Sequence, residues 1–173
     1  MNQNQSFPFV ALARTTLTDP RSAARYMMSI NLDRVVGWQA LILTAIVSVL
    51  ALQVDLMAQP VPDPTDALGA VLIDIYSRPA IIAMLQVSLS ILLVFATYWI
   101  GHALGGKAKF SDTIAVIAWH QAIMASIQLL QLVALVLIPM IVPLLAVVWV
   151  VMFFWLLTQF ITELHGFERA GMV

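Results

Sequence analysis

The chain has 173 residues, of which 62% are hydrophobic and only 17 (8 Lys and Arg, 9 Asp and Glu) are charged. These charges are absent from 35–54, 79–106 and 113–162, which together hold 98 residues, and a water-soluble surface cannot be built from so few charged side chains. The composition excludes an ordinary soluble globular protein, the net charge of −1 excludes a general nucleic-acid binder, and the absence of cysteine excludes disulfides, thiolate metal sites and cysteine nucleophiles.

The first 34 residues predict a helical arm that precedes the first apolar run. Asp19-Pro20 is a typical helix start, with Asp as the N-cap and Pro at the first helical position, and this helix is expected to run towards Ile30. An earlier short helix is expected over Phe7–Leu17. Its apolar side chains favour an arm that lies in the membrane interface. A cytoplasmic cap packed on the bundle is equally compatible with the sequence.

The first two apolar runs predict membrane crossings at about 35–57 and 79–101, since a bilayer core about 30 Å thick needs about 20 apolar helical residues. Asp33 is the expected N-cap of the first crossing. Between the crossings, Gln59–Asp66 carries three prolines and is expected to be extended, and a short helix is expected over Asp66–Ser77.

The segment after the second crossing, Gly101-His102-Ala103-Leu104-Gly105-Gly106-Lys107, has the spacing of a phosphate-binding loop. That motif needs Ser or Thr next and a preceding strand. Here Ala108 follows, and a membrane helix precedes. Gly105 and Gly106 are therefore expected to end the helix, where a left-handed residue is favoured.

The last apolar run is too long for one crossing, because 50 residues would span about 75 Å as a helix. Pro139 and Pro143 lie near its middle and predict a break. Crossings are expected at about 113–138 and 141–162, with Ser111 and Asp112 as caps of the third. A re-entrant loop at 139–143 is the alternative.

The cations predict the orientation, because short cytoplasmic loops carry an excess of Lys and Arg. With the N-terminus inside, only Arg78 faces out, and the seven cytoplasmic cations are Arg14, Arg21, Arg25, Arg34, Lys107, Lys109 and Arg169. The sequence therefore predicts an all-α integral membrane four-helix bundle with an N-terminal interfacial arm, divided at 1–34 and 35–173. Both termini are expected in the cytoplasm.

Three crossings carry polar stripes that form a candidate intramembrane cluster. Its members are Gln86, Ser90, Thr97, His120, Gln121, Gln128, Gln131, Thr158 and Thr162. Such faces favour hydrogen bonds between helices. A path for a proton or small solute, with His120 as its titratable group, is the alternative, although no crossing contains the Asp, Glu, Lys or Arg that pumps usually need.

No other pattern predicts a catalytic residue, a metal site or a cofactor. His102, His165, Glu163 and Glu168 lie near one interface, but their spacing does not make them converge on a metal. No paired carboxylates and no nucleophile with a neighbouring base stand out. Four aromatic residues near the cytoplasmic ends predict an aromatic belt, namely Trp38, Tyr98, Trp99 and Trp119.

Several segments resemble the Yip-domain family, membrane proteins first named for interacting with Ypt/Rab GTPases. The loop that leads into the third crossing is similar to this family through Gly105, Gly106, Lys107 and Phe110. Three other segments resemble its short bacterial branch: Thr16-Leu17-Thr18-Asp19-Pro20-Arg21, Trp119-His120-Gln121 and Leu164-His165-Gly166-Phe167. The resemblance implies a multi-pass bundle without known catalysis, with eukaryotic members that act as adaptors in vesicle traffic and membrane shaping. Members commonly have five crossings, whereas four are expected here. The long cytoplasmic N-terminal region of eukaryotic members is absent from this sequence, so GTPase binding is not expected.

Taken together, these features predict a non-enzymatic scaffold, adaptor or membrane-organising protein of the bacterial inner membrane. Its expected partners are the lipid bilayer, an unknown membrane or cytoplasmic protein and a second copy of the chain, without nucleic acid. The scaffold hypothesis predicts that the polar faces close on one another without a water-filled cavity. The alternative is a small transporter or channel that uses the polar stripes around His120.

Overall fold

The computed structural model of the chain describes residues 7–58, 65 and 67–168, apart from the side chain of residue 72. Within these ranges the protein is all-helical. The helices are α1 (Phe9–Thr18), α2 (Pro20–Ser29), α3 (Arg34–Ala58), α4 (Ala67–Tyr76), α5 (Pro79–Ala103), α6 (Phe110–Leu137) and α7 (Val142–His165), with a short 3₁₀ helix at Pro139–Ile141 before α7.

Four of these helices, α3, α5, α6 and α7, are long and apolar enough to cross a membrane. Their 24 to 28 residues give lengths of about 36–42 Å, against about 30 Å for the hydrocarbon core. The chain is an integral membrane protein with an all-α bundle, as the sequence predicts. The short helix predicted between the first two crossings is α4, whereas the prediction of an extended loop over Gln59–Asp66 lies largely outside the described residues.

Local sequence signals set the starts of the early helices. The Asp19 carboxylate accepts a hydrogen bond from the Ser22 backbone N–H at 3.1 Å, and Pro20 opens α2. The Asp33 carboxylate accepts from the Val35 N–H at 2.7 Å at the start of α3. Both predicted caps are confirmed.

The predicted cap of the third crossing is wrong. α6 begins at Phe110, so Ser111 and Asp112 lie inside its first turn and no side chain caps it. The Thr113 N–H already bonds to the Lys109 carbonyl at 3.0 Å, which starts the helix without them. Asp112 still favours the helix, because a negative charge in the first turn complements the helix dipole.

The prolines divide the last apolar run as the sequence predicts. α6 ends at Leu137, Pro139 opens the 3₁₀ turn, and Pro143 lies in the first turn of α7, where its missing N–H has no helical partner to lose. At about 42 Å, α6 is longer than the bilayer core before the chain turns back. This length favours a full hairpin over a re-entrant loop.

α6 is the central helix of the bundle. One core cluster joins it to α1, α2 and α7 through buried residues that include Leu12, Met27 and Phe160. A second cluster joins it to α3 and α5 through Leu41 and Val94. The arm helices and the other three long helices therefore all pack on α6. As a result, the polar residues of α6 can reach α3, α5 and α7.

Candidate functional site

Three glutamines on α6 each hydrogen-bond to a different long helix. The Gln121 side-chain amide donates to the Ser90 hydroxyl on α5 at 3.3 Å. The Gln128 amide donates to the Ser48 carbonyl on α3 at 3.1 Å, and the Gln131 amide donates to the Leu145 carbonyl on α7 at 2.8 Å. We refer to Gln121, Gln128 and Gln131 as the glutamine ladder. Its contacts match the interpretation of the polar stripe as an interhelical element.

His120 makes a fourth contact of this kind and is fully buried. Its Nε2 lies 3.2 Å from the Phe153 carbonyl on α7, and the two rings meet edge to face with centroids 4.9 Å apart. Because a carbonyl can only accept, Nε2 carries the proton and donates. The other ring nitrogen, Nδ1, has no hydrogen-bond partner among the described residues.

The remaining members of the predicted cluster are not joined to the ladder by side-chain hydrogen bonds, apart from Ser90. Thr158 and Thr162 donate back to carbonyls of their own helix, at 2.8 and 2.7 Å. The buried Thr97 hydroxyl has no partner in the described part of the chain. Gln86 lies one turn before Ser90 and faces a cavity.

This cavity lies between α3, α5, α6 and α7 and has a volume of about 720 Å³. Twelve of its lining residues are apolar, and the polar ones are Ser48, Gln86, Ser90, Gln121, Gln128 and Gln131. The polar faces do not close completely on one another here, and the space that remains is lined mostly by apolar side chains. His120 does not line the cavity, so the space is not built around it.

The two loop segments that carry the family resemblance meet at the end of the bundle where α5 and α7 end and α6 begins. α5 ends in a left-handed turn at Gly105 (φ 89°), in which the Gly106 N–H bonds to the Gly101 carbonyl at 2.8 Å. α7 ends in the same way at Gly166 (φ 71°), with a 2.9 Å bond from Phe167 to Thr162. The P-loop-like spacing is thus a helix end, as its structural interpretation predicts.

His165 locks these two helix ends together. Its ring lies against the α-carbons of Gly101 and Gly106, where any Cβ would overlap it. Its Nε2 bonds to the Thr97 carbonyl at 3.1 Å, and its own carbonyl accepts from the Lys107 N–H at 3.4 Å. We call this arrangement the His165 lock. Phe110 follows at the start of α6, where its ring packs on Tyr98 with centroids 5.2 Å apart.

The N-terminal arm, α1 and α2, packs on α6 and α7 at this same end. The Trp119 indole N–H donates to the Thr16 hydroxyl at 2.9 Å, and both residues are buried. The Phe7 and Phe9 rings meet the indole edge to face. The aromatic-belt prediction is therefore wrong for Trp119, whose ring contacts the arm instead of lipid headgroups. Trp99 remains exposed.

Two arginines of α2 extend this contact to the end of α7. The Arg21 Nε donates to the Gln159 side-chain oxygen at 3.0 Å, and Arg25 pairs with Glu163 at 2.9 Å. The sequence analysis placed these arginines among the cytoplasmic cations and did not identify the two α7 partners. The interface is closed by small side chains, since Ala23 and Ala24 are fully buried.

The opposite face of α1 carries exposed apolar side chains, with Arg14 exposed among them. Val10 is 81% exposed and Leu17, two helical turns later, is 51% exposed. Asp19 lies at the junction of α1 and α2. Hydrogen bonds from the Ser22 side chain and backbone hold the pKa of its carboxyl below the ordinary value of 3.8. The two sequence interpretations of the arm therefore describe different faces, because one face packs on the bundle and the other remains available to lipid.

Among the residues that the structure describes, no three His, Asp or Glu side chains gather in a way that could hold a metal ion. His102 lies near His165, with ring centroids 5.6 Å apart, and its Nδ1 approaches the Tyr98 carbonyl of its own helix at 2.8 Å. The third candidate, Glu163, is turned towards Arg25.

Comparison with known families gives one match. A family model described as the Yip1 domain matches residues 14–173, from the arm to the C-terminal end. No curated protein and no solved structure gives a significant match. The matched range includes the lock, the ladder and most of the arm.

Proposed function

This chain belongs to the Yip1 domain family, and on that premise we propose that it is a non-enzymatic scaffold of the bacterial inner membrane. In this proposal α3, α5, α6 and α7 cross the bilayer and both termini lie in the cytoplasm. The arm then organises lipid or a membrane-associated protein partner at the cytoplasmic face. A second copy of the chain is a further possible partner.

The observation that carries the proposal is the two-sided arm. Its inner face is fixed to the bundle by the Trp119–Thr16 bond and the Arg25–Glu163 pair. Its outer face presents Val10 and Leu17 at helical spacing, beside the exposed Arg14. A helix face that combines exposed apolar side chains with a cation is usual for a helix that lies in the headgroup region. A rigidly held interfacial helix can order the lipid beneath it.

The charge distribution supports the orientation. Lys107, Arg21 and Arg25 lie at the end that carries the lock and the arm. Arg78, at the start of α5, is the single Lys or Arg at the opposite end of the described part of the chain. This asymmetry agrees with the excess of cations in cytoplasmic loops.

A liposome assay tests the arm's role. The full chain is reconstituted at increasing density, and lipid packing is followed with an interfacial fluorescent probe while vesicle shape is imaged. We expect Val10→Glu/Leu17→Glu to lose the effect of the wild type. Thr18→Glu, which adds a charge at an exposed polar position, is the matched control and should retain it. Equal effects of all three proteins would refute a lipid-organising role of the arm.

A further inference from the structure

We propose that the cavity between α3, α5, α6 and α7 binds one acyl chain of a bilayer phospholipid, which enters between α5 and α7. The 720 Å³ of this cavity lie within the range of about 300–1,000 Å³ that is typical of ligand sites. The site lies in the part of the chain that lipid surrounds. This inference does not depend on the scaffold role of the arm.

The walls of the cavity select a hydrocarbon chain over water. The apolar side chains, which include Leu52, Leu93 and Trp149, outnumber the polar ones by twelve to six. Each ladder amide donates one hydrogen bond, to Ser90, Ser48 or Leu145, and keeps one N–H and its carbonyl oxygen. These groups belong to α6, whereas every lining residue from α7 is apolar. A buried water needs two to four polar partners, so the α7 side of the cavity favours a hydrocarbon chain over water.

The mouth of the cavity opens to the surrounding bilayer. Leu89 and Leu92 of α5 line it and are 60% and 61% exposed. Val150 of α7, which lines it from the other side, is exposed as well. The hydrogen bond from His165 to Thr97 joins α5 and α7 at the end of the bundle that carries the lock. The opening lies further along the two helices, towards Ile82 and Ala146.

The polar groups that remain favour a phospholipid over a free fatty acid. No Lys, Arg or His lines the cavity, so nothing in its wall would neutralise a carboxylate. Gln86 has no side-chain hydrogen bond among the described residues, and it lies about 10 Å along α5 from Pro79. An amide at that depth can donate to the ester carbonyl of a phospholipid while the chain occupies the space below.

Photocrosslinking in nanodiscs of phosphatidylcholine tests the site. The full chain is irradiated with phosphatidylcholine that carries a diazirine in the middle of one acyl chain, and adducts are mapped by mass spectrometry. We expect adducts on the cavity wall at Leu52, Leu93 and Trp149, which belong to three different helices. Their absence, while the outward-facing Leu43 and Phe154 are labelled, would overturn the proposal.

Two variants separate the cavity from the lipid around the protein. Ala96→Trp/Ala146→Trp places two indoles in the cavity and should abolish the wall adducts, while labelling of Leu43 and Phe154 persists. Ala80→Trp/Val147→Trp adds the same side chains to α5 and α7 at exposed positions outside the cavity, and should label like the wild type. If Ala96→Trp/Ala146→Trp is folded by circular dichroism and its wall residues are still labelled, the site is refuted.

Two further arms identify the occupant. A diazirine-bearing palmitic acid at the same dose should not label the wall, and labelling by this probe alone would contradict a phospholipid site.

Because the chain has no cysteine, Ser48→Cys gives a single thiol in the cavity. It should resist a charged, water-soluble thiosulfonate reagent in nanodiscs, whereas fast modification would indicate a water-filled cavity and overturn the proposal.

Discussion

The imidazole of His165 occupies the space in which a side chain at Gly106 would lie. The same ring covers Gly101, one turn earlier, so the end of α5 is shaped around a single residue of α7. The backbone bond from Lys107 to His165 completes the contact. The glycines and the histidine of the two family-like segments therefore depend on one another. Any larger residue at Gly106 would clash with the His165 ring.

Gly106→Ala should weaken this lock. The added methyl group overlaps the His165 ring, and displacement of a packed side chain costs about 1–3 kcal/mol. We expect a lower unfolding temperature in detergent micelles. In a His165→Gly background, which removes the ring and the Cβ of residue 165 that the new methyl group would meet, Gly106→Ala should add little further loss. An equal loss in both backgrounds would show that the contact does not set the stability of this end.

Removal of the Thr16 hydroxyl should loosen the arm. Thr16→Val keeps the shape but leaves the buried Trp119 N–H without an acceptor, which costs about 1–3 kcal/mol. Trypsin should then cleave faster at Arg14, Arg21 or Arg25. Thr15→Val is the control, because the Thr15 hydroxyl bonds only to the Ala11 carbonyl of its own helix. Similar cleavage of the two variants would argue against the interhelical bond.

Sequence reasoning predicted the helices well and the contacts between them poorly. The charge-free runs and the Asp19-Pro20, Gly105-Gly106 and Pro139 signals are local, so they are visible without the fold. The partners of Trp119, Arg21 and Arg25 lie more than 100 residues away in sequence, so no local pattern indicates them. The cavity could not be foreseen either, because periodicity shows which face is polar and not how far apart two faces stand.

The stability of α2 should depend on pH through Asp19. Hydrogen bonds from Ser22 lower the pKa of this carboxyl in the folded arm below the 3.8 of the unfolded chain. The cap therefore stabilises α2 fully above about pH 4 and is lost as the pH falls through the folded pKa. The protection of the Ser22 and Ala23 amides, which is the intrinsic exchange rate at the same pH divided by the measured rate, should fall there. In Asp19→Ala the protection should be low at every pH, and the wild-type pH dependence of protection in that variant would contradict the assignment.

His120 should not conduct protons. It is buried against Phe153, is outside the cavity wall, and has no charged neighbour in its own crossing. In liposomes with an internal pH-sensitive dye, we expect wild type and His120→Ala to match empty vesicles. His120→Ala should still unfold more easily, by about 2–5 kcal/mol, because it leaves a large void. Proton flux in the wild type that this substitution removes would support the transport alternative.

The glutamine ladder should contribute modestly and nearly additively. The Ser48 and Leu145 carbonyls belong to helices and already accept backbone hydrogen bonds, so loss of a glutamine leaves no bare acceptor. Interhelical bonds in membranes average about 0.6 kcal/mol each, and replacement of all three glutamines by methionine should therefore cost about 2 kcal/mol. Gln39→Met, at an exposed position of α3, controls for the change in hydrophobicity. If the triple variant were as stable as this control, α6 would hold its neighbours through apolar packing alone.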